Sequence, residues 1–381
     1  MARLWQDVLT MTRYLVLSIT LSLACQAEGD IYHDETPEPQ TVSQLSVHEH
    51  TDQLVLENGV GYWQFQVDPH TQSFALFVDG RGDAEYLITE LESPDGTLVR
   101  SEATSQEASS GLGLAAAPFF SPNRSVGDHG GTSLLVPNNP RLKVSHGAWI
   151  ATVQSTQSDQ HTVRVAQLEQ RAAHRPKSIR IPLNIHLTGA GGINNANAET
   201  HPRLRRALAQ LRSSFSGVDI EINPIRFFDI SPSFQIIDDF TLQDEQGLGL
   251  LRSAGDEPGV NLFIVERFEA DDAVLGTIGG VSAAIPGDPR SRGRFSGVVV
   301  ATSFSEDEPS SDLLGLTIAH EMGHFLGLFH IEEASGFEDN IDDTNASSTN
   351  NLMHHLSRLG FDRLTPQQGM VLRAHPVGEL P

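Results

Sequence analysis

The sequence predicts a multidomain chain, an all-β sandwich followed by an α/β domain. Three observations carry this. From about Val47 to Leu168, short apolar runs alternate with period two and are punctuated by turn residues. From Ile179 onward, strand-like runs alternate with stretches of helical spacing. Between them stands "QRAAHRPKSIR", Gln170 to Arg180, a basic island in an acidic chain.

At the start, Arg3 and Arg13 lead into "YLVLSITLSLA", which stops at Cys25. A basic start followed by about ten apolar residues predicts a signal peptide over residues 1–25. The run is shorter than the roughly 20 residues of a membrane-spanning helix. Its end, "LSLAC", resembles a bacterial lipoprotein signal, in which Cys25 is lipidated and becomes the new N-terminus. Ser22 and Leu21 depart from that pattern, and the alternative is an ordinary signal peptide cut near Ala24 or Ala27. Cys25 is the one cysteine, so a disulfide is not expected and core burial or bound metal must stabilise the fold. Residues 26–45 are polar and carry prolines, which predicts a flexible tether.

Residues 46–170 form the predicted sandwich. "YWQFQV" alternates Trp63, Phe65 and Val67. "SFALFVDG" alternates Phe74, Leu76 and Val78 before a turn at Asp79-Gly80. "AEYLITELESPDGTLV" turns at Pro94-Asp95-Gly96, and "GAWIATVQS" and "HTVRVAQL" add two more runs. Residues 101–132 are rich in Ser, Gly, Ala and Pro and predict a long loop. The order of strands and turns resembles small jelly-roll domains. Residues 171–178 read as a linker, with a processing site as the second reading.

Residues 179–381 form the predicted α/β domain. "SIRIPLNIHL" places Ile179, Ile181, Leu183, Ile185 and Leu187 on one face, with Pro182 pointing to a strand end or edge. Leu204, Ala207, Leu208, Leu211 and Phe215 recur at helical spacing, and "VDIEI", "VNLFIVE" and "SGVVVAT" read as strands. Asp312 is the expected N-cap of a helix apolar almost all round, hence buried. Thr365-Pro366-Gln367-Gln368 predicts a capping box and a final helix.

The net charge of −24 over 381 residues argues against a nucleic-acid partner, and 39% hydrophobic content suffices for real cores.

Chemistry concentrates in "HEMGHFLGLFH". His320 and His324 are four apart, so a helix presents both imidazoles on one face, where they can share one tetrahedral Zn²⁺. Glu321 lies beside the first ligand and is placed as general base. Gly327 lets the helix end with positive φ, and the chain can then return His330 to the same ion. Three neutral ligands leave a fourth position open, as catalytic zinc sites do. Roughly 10⁻⁴ matches to this pattern are expected by chance in such a chain.

This motif is the extended zinc signature of the metzincin metallopeptidases, and "NNLMHHL" resembles their methionine turn, with Met353 beneath the metal. "GGVSAAIPG", "SGVVVAT" and "DNIDDT" resemble the pappalysin-like branch. The resemblance implies a peptide substrate lying along an edge strand of the sheet. Relatives carry tyrosine two residues after the methionine; here His355 stands there. His355 either donates to the oxyanion in its place or is packed or solvated. Ile331, after the third histidine, matches no branch. Glu338, Asp339, Asp342 and Asp343 suggest either a Ca²⁺ site, as relatives have nearby, or a solvated acidic loop. The expected function is a secreted or lipid-anchored zinc endopeptidase acting on protein or peptide. The alternative is a surface binding lipoprotein with an inactive peptidase domain, against which the intact Glu321 and ligand set count.

Overall fold

β1 (Ser46–Leu56), β2 (Val60–Val67), β3 (Thr71–Asp79), β4 (Glu85–Glu92), β5 (Leu98–Ser101), β6 (Val126–His129), β7 (Gly131–Val136), β8 (Gly147–Ser155) and β9 (His161–Arg171) open the chain. They form one antiparallel sheet of order β1-β9-β3-β7-β6-β4-β8-β2, with β5 hydrogen-bonded to β4. The computed structural model describes residues 45–101, 126–269, 279–303, 310–333, 338–345, 348, 350–356 and 358–381. The expected leader, Cys25 and the tether up to residue 44 lie outside these, as does most of the expected 101–132 loop.

Where the sequence leads one to expect a sandwich, these strands make one continuous curled sheet, its two halves joined through the four-residue β6. Both halves supply one apolar cluster: Leu54 and Leu56 of β1, Trp63 and Phe65 of β2, Phe74 and Leu76 of β3, Trp149 of β8 and Val163 of β9 all belong to it. The alternation read in β2 is visible as Trp63, Phe65 and Val67 buried while Tyr62, Gln64 and Gln66 face water.

β3 differs. Phe74, Leu76 and Val78 enter that inner cluster, but Ala75 and Phe77 on the opposite face are buried too, in the core of the α/β part. Leu135 of β7 and Ala166 and Leu168 of β9 join them there. The sheet is therefore buried on both faces along β7-β3-β9, and the described residues belong to one compact unit.

The α/β part continues with β10 (Ile179–Leu187), α1 (Pro202–Ser216), β11 (Ile220–Asp229), β12 (Ile236–Ile237), α2 (Glu245–Arg252), β13 (Val260–Val265), β14 (Arg267–Phe268), β15 (Gly280–Ser282), β16 (Val298–Ala301), α3 (Ser310–Phe325) and α4 (Pro366–Arg373). Its main sheet has the order β11-β10-β13-β16-β15. The first four strands run parallel and β15 lies antiparallel at the edge. α1 buries Leu204, Ala207, Leu211 and Phe215, and α3 is buried from Leu314 to Phe325. Among the described residues no helix is long and apolar enough to cross a membrane.

Two local expectations need correction. Pro182 lies inside β10, a central strand, not at an end or edge. The ladder to β11 shifts register between Ile181 and Leu183, and pairing with β13 begins only at Leu183, so the missing N–H falls where bonding is already interrupted. Asp312 is not the N-cap of α3, because the helix begins two residues earlier, at Ser310. At α4, Thr365 caps Gln368 N–H and the Gln368 side chain returns to the Thr365 N–H, a complete capping box.

Candidate metal centre and active site

α3 carries His320 and His324 on one face, as a four-residue spacing requires. The helix then ends abruptly. Gly327 N–H donates to His324 O and Leu328 N–H donates to Gly323 O, both at 2.9 Å, the paired bonds of a Schellman end. Gly327 has φ 101°, and a Cβ there would lie 2.5 Å from Leu135 Cδ2 of the N-terminal sheet. Glycine is required twice over, by backbone conformation and by the neighbour. The reversal brings His330 back beside the helix.

The three Nε2 atoms face one another: His320 to His330 at 3.2 Å, His324 to His320 at 3.2 Å and His324 to His330 at 3.1 Å. Every Nδ1–H is used elsewhere. His320 donates to Leu352 O at 2.7 Å, His324 to Leu328 O at 2.8 Å and His330 to Glu333 Oε2 at 2.6 Å. Each ring is thus fixed in the tautomer whose Nε2 bears a lone pair. Three converging lone pairs repel unless a cation sits between them. A tetrahedral ion with Zn–N of about 2.05 Å separates its ligand atoms by about 3.3 Å, close to the observed triangle. Burial, then the neighbouring His330, lowers His320 to about 3, so it stays neutral and available as a ligand. Among the described residues this trio is the one group of three or more His, Cys, Asp or Glu side chains converged closely enough to hold a metal.

Glu321 is only 8% exposed and lies against the edge strand β15. A Cβ at Gly280 would meet Glu321 Cγ at 2.8 Å, so glycine allows that strand to approach. Burial pushes the Glu321 carboxyl up to about 8, opposed by a hydrogen bond from the Ser282 backbone. Met353 is fully buried, and a Cβ at Gly323 of α3 would lie 2.5 Å from its sulfur. Its turn is stitched from both sides. Ile331 N–H donates to Met353 O at 2.9 Å, and Met353 N–H donates to Asn351 Oδ1 at 2.8 Å. Asn351 and Gln368 exchange side-chain hydrogen bonds at 3.0 and 3.2 Å, joining the turn to the cap of α4.

The structure does not gather every residue singled out from the sequence. His355 is exposed, its ring stacked on His354 with centroids 4.5 Å apart. Glu338, Asp339, Asp342 and Asp343 are not drawn together: no three of them converge. Asp339 accepts from the Thr344 hydroxyl, Asp342 pairs with Arg141 at 3.2 Å, and Asp343 accepts from Thr365 Oγ1 at 2.6 Å and Gln367 N–H at 3.0 Å. Conversely, the motif reading passed over Glu333, Ser282 and the Asn351–Gln368 pair. A carboxylate three residues beyond the last histidine is a signal the sequence offers for Glu333; the others depend on segments distant in sequence.

Neutral imidazoles converged on a helix, a glycine reversal and a methionine turn, with a buried glutamate beside them, make the site of a zinc metallopeptidase. Residues 255–360, which contain all of these groups, match the family described as pregnancy-associated plasma protein-A. No curated protein matches the chain. Among solved structures, archaemetzincin from Methanopyrus kandleri is 16% identical over 54% of this chain and 91% of its own, with a TM-score of 0.29. Metalloproteinase-II from Bacteroides fragilis is 13% identical over 57% of this chain and 62% of its own, with a TM-score of 0.34.

Proposed function

We propose that the chain is a secreted or surface-anchored endopeptidase in which Glu321 is the general base. The observation that carries the reading is the triangle of Nε2 lone pairs whose Nδ1 hydrogens are all engaged elsewhere. His320, His324 and His330 would hold the zinc. When bound, zinc supplies Lewis acidity and lowers the pKa of water at its open position to about 7.

The remaining steps belong to the protein's own groups. A peptide adds along the edge strand β15, which lies beside Glu321 of α3. Glu321, next to His320 and beside β15, takes the proton of the attacking water and passes it to the leaving amine. His355 donates a hydrogen bond to the developing oxyanion from the segment after Met353. Lipidation at Cys25 anchors the chain to a membrane surface. Calcium near Asp339 to Asp343 is a separate expectation, and a melting temperature unaffected by EGTA would remove it.

The test is casein cleavage by the purified chain and by Glu321→Gln, with zinc measured in both. The variant should keep one zinc per chain and lose at least about 10²-fold in kcat/KM. Full cleavage by Glu321→Gln would refute the base assignment. His355→Phe should lower kcat and leave zinc content unchanged; an unaltered kcat/KM removes His355 from the site.

A further inference from the structure

The three ligands are not oriented alike. His320 and His324 each donate Nδ1–H to a backbone carbonyl, whereas His330 donates to a carboxylate, Glu333 Oε2, at 2.6 Å. That distance is short for an N–H···O bond and fits a charge-assisted one. Glu333 is 7% exposed, so its contact with His330 is little screened by water.

The backbone that delivers Glu333 is held independently of its side chain. Ile331 N–H donates to Met353 O at 2.9 Å, Asp339 N–H donates to Ile331 O at 3.2 Å, and Glu332 forms an antiparallel bridge with Glu338. The His330 ring is therefore trapped between a rigid chain reversal at Gly327 and a carboxylate brought in by a second pinned segment. His330 is also the ligand that most needs such a group. His320 and His324 share a helix that fixes their separation, while His330 arrives on irregular chain.

We infer that Glu333 is the positioning residue for the third metal ligand: it fixes the tautomer and ring orientation of His330 and tightens metal binding by placing a buried negative charge behind that imidazole. A dication on Nε2 draws electron density from the ring and makes Nδ1–H a stronger donor. The carboxylate answers with a stronger acceptor than any carbonyl, and partners of this kind change metal affinity about 10–100-fold. The inference rests on the zinc reading above.

The experiment measures Zn²⁺ dissociation constants by chelator competition on the full chain, for the native protein, Glu333→Gln and Glu333→Ala. Co²⁺-substituted absorption spectra give a second readout. Gln keeps an acceptor for His330 but removes the charge. The expected result is a Kd raised about 10–100-fold in Glu333→Ala and by less in Glu333→Gln, with a shifted Co²⁺ band and unchanged far-ultraviolet circular dichroism. In casein cleavage at saturating zinc, kcat should fall while KM holds. Native Zn²⁺ affinity and an unshifted Co²⁺ band in both variants would overturn the inference while leaving the zinc reading intact. A native chain that binds no zinc would sink the zinc reading itself. If Glu333→Ala fails to fold, Glu333→Gln decides alone: a native Kd and band overturn the proposal, and a raised Kd supports it.

Discussion

The zinc segment, from Thr317 to His355, and the N-terminal sheet, from Ser46 to Arg171, are opposite cases. In the first, a few residues at fixed spacing specify the chemistry, and the helix, the glycine turn and the methionine turn follow from local rules. In the second, no residue suggests chemistry, yet Leu135 of that sheet packs where Gly327 lacks a side chain. Ser133 Oγ–H donates to Pro286 O at 2.8 Å, and Gln170 Nε2–H donates to Arg373 O and His375 O at 3.1 Å each. Asp79 pairs with Arg294 at 2.9 Å. The difference teaches that a metal site can be specified by one segment and braced by another distant in sequence.

The comparison breaks most severely if the N-terminal sheet is dispensable. A chain lacking residues 46–171 exposes the surface against which Phe77, Leu135, Ala166 and Leu168 are buried. It should be insoluble or lack cooperative unfolding, as read by circular dichroism and thermal melting. A folded, zinc-binding truncate would show that the sheet is only an attached module.

Point changes at the junction sharpen the same contrast. Leu135 is fully buried, so Leu135→Ala should cost about 2–5 kcal/mol in urea unfolding. Gly327→Ala should cost roughly 2–4 kcal/mol, combining a left-handed backbone with overpacking against Leu135. The double variant should be less destabilised than the sum, because removing Leu135 clears the space the new Cβ needs. Strict additivity would mean that backbone conformation alone demands glycine.

A smaller effect concerns His375, which lies beneath the same junction. Its Nε2–H donates to Gly287 O at 2.9 Å and its Nδ1 accepts from Val377 N–H at 3.2 Å, so the charged ring would set one N–H against another. Burial lowers it to about 4, against the helpful bond to Gly287. Unfolded histidine titrates near 6.5, so between about 6.5 and 4 the unfolded chain takes up a proton the folded chain refuses. Stability should fall as pH drops through that window and level off below it, by up to the order of 3 kcal/mol. Zinc-saturated His375→Gln, compared with the native chain by urea midpoint at pH 7 and pH 5, should show a shallower fall. Equal slopes would remove His375 as a source of acid sensitivity.

How much was legible follows from where each feature's causes lie. The ligands, Glu321, Gly327 and Met353 sit in one stretch with strong spacing rules, and the structure finds the three ligand nitrogens converged. The double burial of β3 was written in "SFALFV", a continuous apolar run of the kind that marks a strand covered on both faces, but period-two alternation draws the eye to Phe74, Leu76 and Val78 alone. At Asp342 and Asp343 the sequence leaves a cation site and a solvated loop both open, because their partners, Arg141, Thr365 and Gln367, are far away in sequence. Pro182 reads as an edge residue because the bulge that tolerates it exists only once β10 and β11 pair.

The central claim is that three imidazoles share one ion. Zinc-edge X-ray absorption on the purified full chain, together with elemental analysis, tests it most directly. The account predicts one zinc per chain with three imidazole nitrogens at about 2.0–2.1 Å. Substoichiometric metal, or a shell with fewer than three imidazoles, would contradict it.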